Sequence, residues 1–156
     1  MKRILFYRQN DPYGEFSNFS AHPFKLKGKV WPTSEHYFQA QKFAGTEHEE
    51  AVRNAETPSM AAKLGRRRSL PLRSDWEAVK EEVMREALRA KFEQHPKLAS
   101  LLLSTGDAEL IEHTRNDSYW ADGGDGTGKN RLGYLLMELR GEMILQAEPT
   151  SNPTTR

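Results

Sequence analysis

A glutamate, a glutamine and a lysine recur at i, i+4 and i+7 in Glu35-His36-Tyr37-Phe38-Gln39-Ala40-Gln41-Lys42-Phe43. On a helix that spacing sets Glu35, Gln39 and Lys42 along one narrow stripe. Two readings fit. The stripe is either a solvated face with a Glu–Lys attraction, or it points into a cleft walled by the neighbouring Tyr37, Phe38 and Phe43. In a cleft, a carboxylate and an amine with shifted pKa values can act as base and nucleophile. Spacing leaves both open.

A second polar segment runs Asn116-Asp117-Ser118-Tyr119-Trp120-Ala121-Asp122-Gly123-Gly124-Asp125-Gly126-Thr127-Gly128-Lys129-Asn130. Gly123 to Lys129 satisfies half of a phosphate-binding P-loop, but Asn130 stands where a Ser or Thr would hold magnesium. Asp125 would add negative charge inside the cradle, and no apolar strand precedes the loop. What remains is a glycine-rich turn leading into a helix, either an ordinary turn or a set of backbone N–H groups open to an anion.

Lys63-Leu64-Gly65-Arg66-Arg67-Arg68, with Arg73 beyond, forms a basic run that is either solvated surface or a phosphate holder. Asn18, between Phe16 and Phe19, is a turn-former or a base-reading amide. The five histidines show no metal-ligand spacing, so neither a metal nor a cofactor is expected. The absence of cysteine excludes thiolate catalysis, disulfides and cysteine zinc sites.

These groups need a scaffold, and 156 residues suffice for one domain with its own core. The balance of 23 basic to 22 acidic residues excludes the broad positive field of a general nucleic-acid binder. Neither a signal peptide nor a membrane span is legible, so a cytoplasmic location is expected. The order reads as strands first, helices afterwards. Ile4–Tyr7 is a β-type run, and residues 24–31 alternate around Lys27-Gly28 as a hairpin. Pro32-Thr33-Ser34 opens a helix through about Phe43, stopped by Gly45. Thr57-Pro58 starts a short helix closed by Gly65. Ser74 and Glu77 are spaced as a capping box ahead of a helix burying Trp76, Val79, Val83, Ala87 and Phe92. Leu98–Leu103 and Arg131–Leu145 supply two more helices. The fold class is α+β, a small and mostly helical single domain over residues 1–146, with 147–156 as a disordered tail.

Four ordered motifs carry a resemblance. They are Gly14-Glu15-Phe16-Ser17-Asn18-Phe19; Trp31 through Phe43; Trp76-Glu77-Ala78-Val79-Lys80 with Ala90-Lys91-Phe92; and Asp117-Ser118-Tyr119-Trp120 through Arg131-Leu132-Gly133. Together they resemble the NADAR superfamily over roughly Phe6 to Met143, and within it the bacterial N-glycosidase branch. The resemblance implies cleavage of the C1′–N bond of phosphoribosylamino-pyrimidine intermediates of riboflavin biosynthesis. The products would be ribose 5-phosphate and an aminopyrimidine, in a damage-control role. Other branches remove ADP-ribose from guanine bases in nucleic acid, which keeps that partner, or a non-catalytic ADP-ribose binder, as alternatives. Carried over by position, the resemblance puts the family's acid on Glu35, its lysine on Lys42, its aromatic wall on Trp76 and Trp120, and its polar loop contacts on Asn18, Asp117 and Asn130. The expected catalytic residues are Glu35, Lys42 and Asp117, since Glu35 or Asp117 could orient the water, and Phe19, Gln39, Arg66, Arg67 and Gly128 join the expected substrate contacts. Ala121 stands where many relatives have glycine.

Overall fold

A computed structural model of the chain describes residues 2–147. Strand β1 (Arg3–Phe6) leads through a 3-10 turn (Gly14–Phe16) to a hairpin of β2 (Phe24–Leu26) and β3 (Lys29–Trp31). Helices α1 (Ser34–Gln41), α2 (Glu47–Arg53), α3 (Pro58–Gly65), α4 (Trp76–Gln94) and α5 (Pro96–Ser104) follow. Strand β4 (Glu109–Glu112) and helix α6 (Arg131–Ala147) complete the chain. The α+β class stands, but the order is not strands then helices. β4 returns after five helices to pair in parallel with β1, in the register Ile4↔Leu110 and Phe6↔Glu112. Its two apolar residues between acids, Glu109-Leu110-Ile111-Glu112, fall below the length at which alternation signals a strand.

The hairpin forms as its turn residues dictate. Lys27 and Gly28 take φ of 55° and 78°, the two positive values a type I′ turn requires. Thr33 caps α1, accepting from the His36 N–H through Oγ1 at 3.1 Å. The same hydroxyl lies 2.8 Å from His36 Nδ1, while His36 Nε2 meets the Ala55 carbonyl at 3.0 Å. His36 is therefore a satisfied core histidine, held neutral by burial. α1 ends at Gln41 rather than Phe43, and the chain turns through Gly45 at φ +82°.

The Ser74–Glu77 capping box does not form. Asp75 is the N-cap of α4 without a side-chain bond to the helix, because its carboxylate pairs with Arg73 at 2.6 Å. Of the residues expected to face inward on α4, Val79 is only partly buried. α5 buries Leu98 and Leu102 alone, and α6 runs two residues past Leu145. The expected tail from 148 onward lies outside the described residues, and Ala147 belongs to α6.

The core is one cluster that joins β1, β4 and the hairpin to α1, α4, α5 and α6. α1 lies at its centre, against α2, α3, α4 and β3, and all eight of its residues are buried. A helix buried on every side exposes no face to bulk water, which removes the solvated-stripe reading of Glu35 and Gln39.

Candidate active site

Glu35 and Gln39 open instead onto a cleft of about 760 Å³. Six segments contribute to it: the residues just after β1, the 17–19 loop, α1 with Lys42, Arg66 at the end of α3, the first turns of α4, and the stretch from the end of β4 to Trp120. Their convergence depends on α1 being central. It presents Glu35, Phe38, Gln39 and Lys42 from one side, while Trp76, Lys80 and Met84 arrive from α4.

Burial fixes the chemistry of α1. Glu35 is 7% exposed, and its Oε2 accepts from Gln39 Nε2 at 2.7 Å. Desolvation raises the Glu35 pKa above the usual carboxyl range; the Gln39 amide, Arg66 and Lys42 oppose it, and Asp117 adds to it. Lys42, half-buried at the end of α1, donates from Nζ to the Gly65 carbonyl at 3.2 Å. The same Nζ sits 5.9 Å from the ring centres of both Phe38 and Trp76. Desolvation lowers its pKa, against the pull of Glu35. No ion pair engages Lys42 among the described residues.

Gly65 does more than stop α3. A Cβ built there would stand 2.0 Å from Gln39 Oε1, so the missing side chain is what lets Gln39 lie flat beneath Glu35. That Oε1 is itself buried without a partner. The sequence reading assigned Gly65 only to helix termination, and nothing in a single sequence points to its second role.

The aromatic wall is continuous. Phe38 meets Trp76 at 5.1 Å and Trp120 at 5.3 Å, both edge-on, and Tyr119 abuts Trp120 at 4.9 Å. Asp117 braces it: its Oδ1 accepts from the Tyr119 and Trp120 N–H groups, each at 2.8 Å.

Asn18 lines the cleft, but both ends of its amide are engaged. Oδ1 accepts from Ser34 Oγ at 2.7 Å, and Nδ2 faces Met84 Sδ at 3.6 Å. Its carbonyl also accepts from the Glu35 N–H at 3.1 Å. Asn18 thus anchors the start of α1 rather than offering a free base-reading amide. Phe19 is half-buried at the cleft wall.

Three expected contacts lie elsewhere. Arg67 is exposed and outside the cleft, as is Arg68, while Arg73 is tied to Asp75; only Arg66 reaches the rim. Gly128 and Asn130 are structural. Backbone N–H groups from Gly128 to Leu132 donate in turn to the carbonyls of Asp122, Ser118, Ala121, Tyr119 and Trp120. None of these five is left to receive an anion, so the segment that leads into α6 is a turn and does not cradle a phosphate. A Cβ at Gly128 would also lie 2.5 Å from the Ala121 carbonyl. Asn130, at φ 52°, uses Oδ1 to accept from the Glu112 N–H and Nδ2 to donate to the Leu110 carbonyl.

The remaining wall comes from Tyr7, Arg8, Gln9, Asn10, Ser17, Lys80, Met84, Glu112, Thr114, Asn116 and Tyr119, none of which the sequence reading placed at the site. The charges sort by depth. Arg8 and Arg66 are exposed at the rim, and Glu35 is buried beneath. Among the described residues, no three of His, Asp and Glu converge closely enough to hold a metal ion. No helix there is long and apolar enough to cross a membrane.

Lys91 holds the 14–19 loop from below. It is fully buried on α4, and its Nζ donates to the Glu15 and Ser17 carbonyls at 2.8 and 3.0 Å. Burial brings its pKa down to about 7 from 10.5. Between those values the unfolded chain binds more protons than the folded one, so this group makes stability rise with pH. Urea unfolding at pH 7 and pH 10 should show that rise in the native protein, and Lys91→Met should flatten it. An equal rise in the variant would refute the linkage.

The family model described as the NADAR domain matches residues 5–144. The chain belongs to the NADAR domain family. N-glycosidase YbiA of Escherichia coli (strain K12) is 62% identical over 143 residues, covering 92% of this chain and 89% of that protein. The NMR structure of the E. coli protein YbiA superposes with a TM-score of 0.87 at 57% identity, covering 97% of this chain and 92% of that one. Riboflavin biosynthesis protein VVA0006 of Vibrio vulnificus (strain YJ016) is 44% identical over 140 residues, covering 90% of this chain but 38% of that longer protein.

Proposed function

We propose that this NADAR chain is an N-glycosidase that hydrolyses the C1′–N bond of phosphoribosylamino-pyrimidines, releasing ribose 5-phosphate and an aminopyrimidine. The observation that carries the reading is that buried Glu35 and half-buried Lys42 line one cleft together with the aromatic wall of Phe38, Trp76 and Trp120. The names of its relatives, an N-glycosidase and a riboflavin biosynthesis protein, support the same chemistry.

Breaking C1′–N builds positive charge on the sugar, and a carboxylate held in a desolvated cleft lowers that barrier electrostatically. A flat pyrimidine fits against the indole faces of Trp76 and Trp120. The exposed guanidiniums at the rim, Arg66 and Arg8, suit a 5′-phosphate that stays partly in water. Lys42 supplies a nucleophile: a ribosylamine opens to an imine, and a neutral amine can exchange onto C1′ before water hydrolyses the product. Asp117 and Glu35 are the groups available to orient that water.

Purified protein incubated with a phosphoribosylamino-pyrimidine should release ribose 5-phosphate over many turnovers. A parallel incubation with guanine-ADP-ribosylated oligonucleotide should release no ADP-ribose. The reverse pattern would transfer the assignment to nucleic acid, and stoichiometric binding without turnover would make the chain a binding module.

A further inference from the structure

We propose that Glu112 is a third catalytic carboxyl of this cleft, the acid that gives its proton to the departing nitrogen. The proposal rests on the N-glycosidase reading above.

Glu112 ends β4 and lines the same cleft as Glu35 and Asp117. Its backbone is fixed on both sides. The N–H donates to Asn130 Oδ1 at 3.0 Å, and the carbonyl accepts from the Asp122 N–H at 2.9 Å. Its pairing with Phe6 in the parallel ladder fixes it further. Asn130 therefore acts on the cleft through Glu112, which explains a non-glycine residue held at positive φ.

The side chain contrasts with several partnered acids among the described residues. Glu81 is tied to Arg131 and Tyr119, Glu50 to Arg53 and Lys29, and Asp122 to His113. Glu112 is half-buried yet takes no hydrogen bond or ion pair from any described residue. A desolvated carboxyl without a partner costs stability, and such groups persist where function retains them.

Its surroundings keep the proton on. The charged groups acting on it are Asp117 and Asp122 from the 113–130 loop and Glu35 from α1, all acidic. Arg8 and Tyr7, just past β1, share the cleft wall. Burial first, then those three acids, raise its pKa to about 8, so it is a neutral carboxylic acid at pH 7. Glu35 differs in that it accepts a hydrogen bond from Gln39, which favours its charged form. The cleft thus holds one carboxyl engaged as an acceptor by Gln39 and another with no partner, free to donate.

The step balances. The C1′–N bond breaks with its electron pair passing to nitrogen, and the Glu112 proton follows it to form the neutral leaving amine. The hydrolysing water delivers hydroxide to C1′, and its remaining proton restores Glu112.

Wild-type kcat for ribose 5-phosphate release should fall as pH rises through about 8, where Glu112 ionises. Glu112→Gln should lower kcat at pH 7 by about 100-fold, leave KM within about threefold, and lose that alkaline fall. Carbon-13 NMR of glutamate-labelled protein should show a carboxyl titrating near pH 8 that is missing in Glu112→Gln. A variant with wild-type kcat, or one that keeps the alkaline fall, overturns the role of Glu112. So does a large kcat loss in a variant whose melting temperature shows that it has not folded, if Glu112→Asp restores folding without restoring the pH profile. A wild-type protein that releases nothing overturns the N-glycosidase reading itself, and this proposal with it.

Discussion

Glu35→Gln should cost about a thousandfold in kcat and yet yield a more stable protein. Both effects come from one placement. Glu35 sits in the first turn of a helix with no solvent face, and burial raises its pKa despite the Gln39 amide, Arg66 and Lys42. The folded protein therefore holds this proton more tightly than the unfolded chain. Stability falls as pH rises from the unfolded value of 4.5 towards the raised folded one, and stays lower above it. A glutamine fills the same volume, can still accept from Gln39 Nε2, and carries no charge to desolvate. Calorimetry should show the melting temperature of Glu35→Gln above wild type by a few degrees at pH 8, with a smaller gain at pH 5. Ribose 5-phosphate release should be nearly lost over the same range. A variant less stable than wild type at pH 8, or one with kcat within about tenfold, would detach Glu35 from this role.

The stripe of Glu35, Gln39 and Lys42 was legible because helical spacing survives in any context. Its direction was not: whether a polar stripe meets water or a cleft depends on what packs around the helix, and α3 and α4 come later in the chain. The helix caps show the same limit. Thr33 and Thr57 cap their helices as local chemistry dictates. Ser74 and Glu77 do not, because Arg73 draws the Asp75 carboxylate away and changes how the chain enters α4. The parallel pairing of β1 with β4 spans most of the sequence and leaves no local mark, so the wall it carries (Tyr7, Arg8, Glu112, Thr114) stayed hidden. The basic run failed for the opposite reason. Arg66, Arg67 and Arg68 are adjacent in sequence, yet consecutive side chains leave a turning backbone in different directions, and Arg66 alone faces the cleft.

Lys42 should prove indispensable as a nucleophile and not merely as a charge, and arginine separates the two. Its amine is held by one carbonyl, Gly65 O at 3.2 Å, and by the flanking rings of Phe38 and Trp76, with no carboxylate bound to it. Burial lowers its pKa, Glu35 raises it, and Arg66 lowers it further, so the neutral fraction near pH 7 exceeds that of a surface lysine. In the exchange route this amine adds to C1′, the aminopyrimidine leaves, and water cleaves the resulting imine to free the sugar and restore the lysine. Lys42→Met and Lys42→Arg should then both lose about a thousandfold or more in kcat, although arginine keeps the positive charge. Loss of the Lys42 proton should raise the wild-type rate with pH, and ionisation of Glu112 should lower it. Borohydride added during turnover should reduce the imine to a stable secondary amine, leaving a phosphoribityl group on Lys42 that peptide mass spectrometry can locate. If Lys42 acted only by its charge, Lys42→Arg would retain about a tenth or more of the activity and borohydride would leave the protein unmodified. Either result would return the attack on C1′ to a water held by Glu35 and Asp117.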